Sequence, residues 1–187
     1  MIGYAFTGSF CTLSSSLEEL RKFAEAGYEI QPIMSENVYS TDTRFFKAED
    51  FRKKVLSYAS ADIVHTVKDA EPFGSIKPLD YLIIAPCTGN TLAKISHGIT
   101  DTAVTMAAKA HLRCDRHMLI ALASNDAASQ NLSNLSRLLL RKSVYFVPML
   151  QDAPREKPHS LVADFSRLRE AFFEMEAERQ LRPLFLY

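Results

Sequence analysis

Four short stretches of this chain concentrate hydroxyl, amide and glycine residues of the kind that hold a small polar ligand. They are Thr7-Gly8-Ser9, Ser35 with the residues after it, Thr88-Gly89-Asn90-Thr91, and Ser124-Asn125-Asp126. Backbone N–H groups and a hydroxyl around Gly8 and Ser9 suit a phosphate. A tight turn on Gly8 with a nearby serine cap accounts for the same residues equally well. Ser35 offers a second hydroxyl to the same anion. Asn90, Thr88 and Thr91 offer an amide and hydroxyls to a hydrogen-bonding aromatic ring, although one such residue alone reads as a helix cap. The stretch at Gly8 lacks the third glycine of GxGxxG, and GxxxxGK[ST] occurs nowhere. A dinucleotide site and a P-loop are therefore unsupported, and a mononucleotide phosphate fits better than a pyrophosphate.

Other reactive side chains carry weaker signals. Cys87 sits beside no histidine or acid in sequence, which favours an inert buried thiol over a nucleophile. His65, His97, His111, His117 and His159 show no metal-ligand spacing. Lys109, His111 and Arg113 read as a solvated helix end. Lys109, with Arg155 and Lys157 of the loop 151–160, is a candidate for binding a carboxylate substrate. Asp152 and Glu156 also permit that loop to be merely an exposed, balanced one. Asp126, Lys109 and His111 are general-base candidates without supporting spacing.

The elements that must position these residues alternate short apolar runs with helical periodicity, the pattern of an α/β sandwich on a mostly parallel sheet. Strands are expected at 2–7, 28–34, 79–85, 117–123 and 144–150, with a further short one at 62–67. Helices are expected at 16–26, 48–59, 90–97, 101–113, 130–141 and 161–179. Ser15 and Glu18 have capping-box spacing, and Gly27 suits a helix stop. In such sheets ligands bind beyond the carboxyl ends of the strands, where all four polar stretches fall. The apolar tail 181–187 is expected to dock on a neighbouring protomer.

Bulk composition narrows the partners. Lys+Arg and Asp+Glu both number 22, so neither nucleic acid nor an anionic membrane is expected. Met1 leads straight into a strand-like run without a basic leader, so no signal peptide is expected. The 3 cysteines show no CxxC spacing and fit a reducing compartment. At 187 residues one domain over 1–180, followed by the tail 181–187, is the simplest organisation.

The segment APCTGNTLAKISHGITDTAV resembles the flavoprotein family of homo-oligomeric, FMN-binding cysteine decarboxylases. Pro86, Thr88, Asn90, Thr91, Lys94, Gly98 and Asp101 stand in that family's order, and Thr7-Gly8-Ser9 and Ser35 match its phosphate-binding positions. MAAKAHLR, SNDAASQN, YFVPMLQDAP and KPHSLVADF resemble a narrower branch over roughly residues 1–170. That branch works with an NADP-binding partner subunit to oxidise a dihydropyridine dicarboxylate in the cytoplasm of sporulating bacteria. The resemblance implies a three-layer α/β/α sandwich with a Rossmann-like (flavodoxin-like) sheet. It also implies FMN as cofactor, NADP only through the partner, and a homo-oligomer, a trimer or a multiple of it. Gly8, Ser9 and Ser35 would hold the phosphate, and Thr88, Asn90 and Thr91 would approach the flavin ring. Ser124 and Asn125 would face the ligand. The chain has no tryptophan and no cysteine after Cys114, so the decarboxylases' Pro-x-Met-Asn-x-x-Met-Trp motif and late Gly-Ser-Cys clamp are missing. Two alternatives accompany the redox reading: a non-catalytic partner of the NADP-dependent protein, and a divergent flavin-dependent decarboxylase.

Overall fold

The computed structural model describes residues 1–187. Its sheet is built on uninterrupted apolar runs: β1 (Ile2–Phe6), β2 (Ile30–Met34), β3 (Tyr81–Cys87) and β4 (Met118–Ser124). Almost every residue in these strands is buried, as a parallel strand covered by helices on both faces requires. With β5 (Val144–Phe146) they pair in parallel in the order β2-β1-β3-β4-β5. Beyond β5 the chain leaves parallel geometry. β6 (Met149–Leu150) and β7 (Leu161–Ala163) form an antiparallel pair, and β7 also pairs with the last residues of β4.

The helices are α1 (Leu13–Glu25), α2 (Glu36–Ser40), α3 (Ala48–Leu56), α4 (Val67–Ala70), α5 (Gly89–His97), α6 (Ala103–Leu112), α7 (Leu132–Leu139) and α8 (Leu168–Glu176). One core layer joins α1, α3 and α8 to the sheet through Phe23, Phe51, Phe172, Tyr4 and Phe6. The Phe23 and Phe172 rings meet edge-on at 5.0 Å. The other layer, on α5, α6 and α7, is mostly aliphatic, and α6 contributes the small residues Ala103, Ala107, Ala108 and Ala110. The fold class expected from the sequence is the one observed.

Each edge of the sheet is occupied by the chain itself. Along β2, Val64 donates to Pro32 O at 3.0 Å and accepts from Met34 N–H at 2.9 Å. Beside β5, the Gln180 amide imitates a strand, accepting from Phe146 N–H at 2.8 Å and donating to Phe146 O at 2.7 Å. On β6, Met149 donates to Leu184 O at 2.9 Å and accepts from Leu186 N–H at 2.8 Å. The tail is thus tied to its own chain, with Leu181 and Leu184 buried and Phe185 and Tyr187 left exposed.

Several expectations need correction. The segment 62–67 is no strand, since only Val64 makes a bridge, to Ile33. Ser15 and Glu18 form no capping box, because a 3-10 turn over Phe10–Thr12 starts the winding early and α1 begins at Leu13. Strand 144–150 breaks at Val147-Pro148, where proline has no N–H for the ladder. The helix expected over 161–179 opens as strand β7. Asp164 then accepts the Ser166 N–H at 3.1 Å and turns the chain into α8.

Candidate functional site

The strand order reverses direction between β1 and β3, the place where open α/β sheets leave a crevice at their carboxyl edge. Thr7, just past β1, fixes the floor of that crevice. Its Oγ1 donates to Pro86 O at 2.8 Å and accepts the Thr88 N–H at 2.9 Å, tying the two strand ends together. Above it lies a cleft of about 540 Å3, within the range of small-molecule sites. Gly8, Ser9, Thr88, Asn90, Ser124 and Asn125 line it, as does Lys157 from the loop after β6. Six of the eight expected cofactor residues therefore meet in one cleft.

Ser35 and Thr91 do not line it. Ser35 follows β2, with its N–H donated to Phe6 O at 3.0 Å, while its Oγ is buried without a partner. Thr91 is buried, and its Oγ1 accepts the Thr88 hydroxyl at 3.0 Å. Thr88 also accepts the Thr91 N–H at 3.2 Å, so it is the N-cap of α5. Of the resembling motif, Lys94 and Asp101 pair with each other at 2.9 Å, and Gly98, at φ +72°, ends α5. Those three residues shape the helix rather than the cleft.

Lys109 lines a separate cavity of about 160 Å3 with Arg113 and Arg141. It lies near the end of α6, whose last turn is anchored beside the start of β4, the opposite edge of the sheet. The anchor is His111, which is buried rather than solvated. Its Nε2 donates to His117 O at 2.8 Å, and burial holds its pKa down to about 4. His111 and Lys109 are therefore not bases for this cleft. Arg155 is exposed on its loop and lies off the cleft wall. Burial pushes the Cys87 thiol well above its ordinary range, which suits an inert core residue.

The donors within the cleft are largely unspent. Gly8, Gly89 and Asn90 have backbone N–H groups with no partner in the chain, and the amide side chains of Asn90 and Asn125 are equally free. The first turn of the nine-residue α5 adds its positive dipole end. The α5 backbone approaches β4 so closely that a Cβ on Gly89 would lie 2.3 Å from Ser124 Oγ and 2.8 Å from Asp126 Oδ1. Asp126 is a receiver in a small network, taking the Ser124 hydroxyl and, at 3.0 Å, the Asn131 amide. Across the cleft Lys157 pairs with Asp152 at 2.9 Å. Burial opposes ionisation of Asp152, but the Ser160 hydroxyl and Lys157 outweigh it and hold the carboxyl below its usual range. Lys157 is raised by the same pairing.

Sequence reasoning missed Arg44 and Phe45, which reach the cleft from the loop between α2 and α3. It also missed Phe10 and Thr12 on the first 3-10 turn. Nothing periodic marks Arg44 and Phe45. Only an arginine followed by two phenylalanines in a short polar loop was there to be noticed.

The Flavoprotein family model matches residues 1–165, most of the chain. The chain belongs to the Flavoprotein family. As a member it is 36% identical to the B subunit of dipicolinate synthase of Bacillus subtilis, over 98% of this chain and 92% of that protein. The crystal structure of the corresponding B subunit from Bacillus halodurans C superposes with a TM-score of 0.91. It is 35% identical and covers 100% of this chain and 95% of that one. A dodecameric FMN-dependent UbiX-like decarboxylase from Escherichia coli O157:H7 shares the fold, with a TM-score of 0.65 and 24% identity over 79% of each chain. No helix of this flavoprotein is long and apolar enough to cross a membrane.

Proposed function

We propose that this flavoprotein is the B subunit of a dipicolinate synthase. It binds FMN in the cleft and, with the NADP-binding A subunit of that enzyme, supports oxidation of dihydrodipicolinate to dipicolinate in the cytoplasm of a sporulating mother cell. The observation that carries the reading is the convergence of unspent donors from three strand ends in one cleft, in a chain so similar to the B subunit of Bacillus subtilis. The donor set suits the cofactor. Gly8 N–H and the Ser9 hydroxyl would hold the phosphate; Ser35, whose unpartnered Oγ is buried off the cleft, would reach it only if that strand end shifted on binding. Asn90, Asn125 and the first N–H groups of α5 would meet the polar edge of the ring. Bound there, FMN would supply a two-electron acceptor. The chain's own part is to orient cofactor and substrate, with Asp126 held in place on the cleft wall by Ser124 and Asn131. As in the dodecameric relative, the protein is expected to form a homo-oligomer.

The absorbance spectrum of the purified protein tests this. The two bands of oxidised flavin are expected, in the protein as isolated or after adding FMN, and Asn90→Ala should retain less of it. A colourless protein that ignores added FMN would sink the reading. Mixed anaerobically with the NADP-binding partner and dihydrodipicolinate, the flavin should bleach. Product formed at unchanged flavin absorbance would instead favour a non-catalytic role for this chain.

A further inference from the structure

We propose that Arg44 and Phe45 form the substrate clamp of this cleft, Arg44 gripping a ring carboxylate and Phe45 covering the ring face. The ligand they select is a six-membered ring bearing carboxylates; the inference rests on the dicarboxylate chemistry proposed above. Arg44 makes no ion pair and no hydrogen bond within the chain, whereas the other cleft cation, Lys157, is occupied by Asp152 at 2.9 Å. Its guanidinium carbon lies 4.8 Å from the centre of the Phe45 ring, a contact that biases the planar fork toward the ring. Phe45 is 45% exposed on the cleft wall, although its neighbour Phe46 turns inward onto Phe51 at 5.1 Å.

The loop holds this outward pair firmly. The Thr43 hydroxyl accepts the Phe45 N–H at 3.2 Å and the Phe46 N–H at 3.3 Å. Thr43 N–H donates to Phe46 O at 2.9 Å, and Asp42 accepts the Ala48 N–H at 2.9 Å. A phenylalanine and an arginine without an anionic partner thus face a polar cleft, packed against each other and not into the core. A flat acid satisfies both at once. Charge sets the direction of binding. The other wall carries the carboxylates of Asp126 and Asp152, so an anionic ligand is drawn to the Arg44 side. A guanidinium binds a carboxylate by two parallel N–H bonds, which an ammonium cannot reproduce.

The test is calorimetric titration of the FMN-saturated protein with pyridine-2,6-dicarboxylate and with pyridine, alongside a separate FMN titration followed by flavin fluorescence. Wild type should bind the diacid and not pyridine. Arg44→Gln should weaken the diacid about ten- to a hundredfold, Arg44→Lys should recover only part of the loss, and Phe45→Ala should weaken it too. FMN affinity should be unchanged in all three variants. Undiminished diacid binding in Arg44→Gln, or a wild type that binds none, overturns the clamp while leaving the FMN reading standing. Loss of FMN instead of diacid in Arg44→Gln also overturns it, by assigning the arginine to the cofactor. A protein that ignores FMN but binds diacid through Arg44 supports the clamp and removes the flavin reading.

Discussion

A Cβ on Gly89 would lie 2.3 Å from Ser124 Oγ and 2.7 Å from Asn131 Nδ2, closer than atoms tolerate. The atoms it would meet are side-chain ends, so a Cβ there displaces the Asp126 network that packs against the α5 terminus rather than straining the backbone. Gly89→Ala is expected to push the two apart, destabilising the protein by roughly 1–3 kcal/mol and weakening FMN. Urea melts together with the flavin titration would check it. An unchanged midpoint and unchanged affinity would mean that the contact shapes nothing. Gly8 is different, since an added Cβ would meet only the Phe10 ring, at 3.8 Å. At this scale the sequence was legible where residue type implied a donor, as at Asn90 and Asn125. It misled where a hydroxyl was already spent, as at Thr91, because a sequence does not show which partner a threonine has found.

The strands could be read as uninterrupted apolar runs because they are buried on both faces, and most helices from apolar periodicity because they are buried on one. The failures have specific causes. DIVHTV has strand composition, but it lies outside β2 and pairs through Val64 alone. The start of the last expected helix, LVADF, carries enough apolar residues for either period; pairing with β4 and β6 decided for strand. The edge-sealing roles of Gln180 and residues 184–186 depend on contacts distant in sequence, which no local pattern encodes. Removing residues 181–187 is expected to strip Met149 of its two backbone bonds and uncover the β6 edge. The truncated chain should melt at a lower temperature and self-associate on size-exclusion chromatography. Wild-type behaviour in both measurements would show that the tail contributes nothing to closing the sheet.

Folding free energy belongs to the whole molecule, and His111 couples it to pH. The side chain is buried neutral, mainly because burial disfavours its charged form, with a pKa of about 4 against an ordinary 6.5. Between those values the unfolded chain binds the proton and the folded one does not, so stability declines as pH is lowered through that window. The loss spans about pH 6.5 to 4 and amounts to roughly 3 kcal/mol at most. Urea midpoints at pH 7.5 and 5 should differ by more in wild type than in His111→Gln. Equal pH dependence in both would mean that other groups govern acid sensitivity.

The self-contained margins of the sheet also restrict how copies of this molecule can meet. Val64, Gln180 and Leu184–Leu186 already occupy the backbone positions through which a foreign strand would add. Were copies to assemble, side chains on helices and loops would have to join them, a form of contact that can be repacked by mutation without unzipping a ladder.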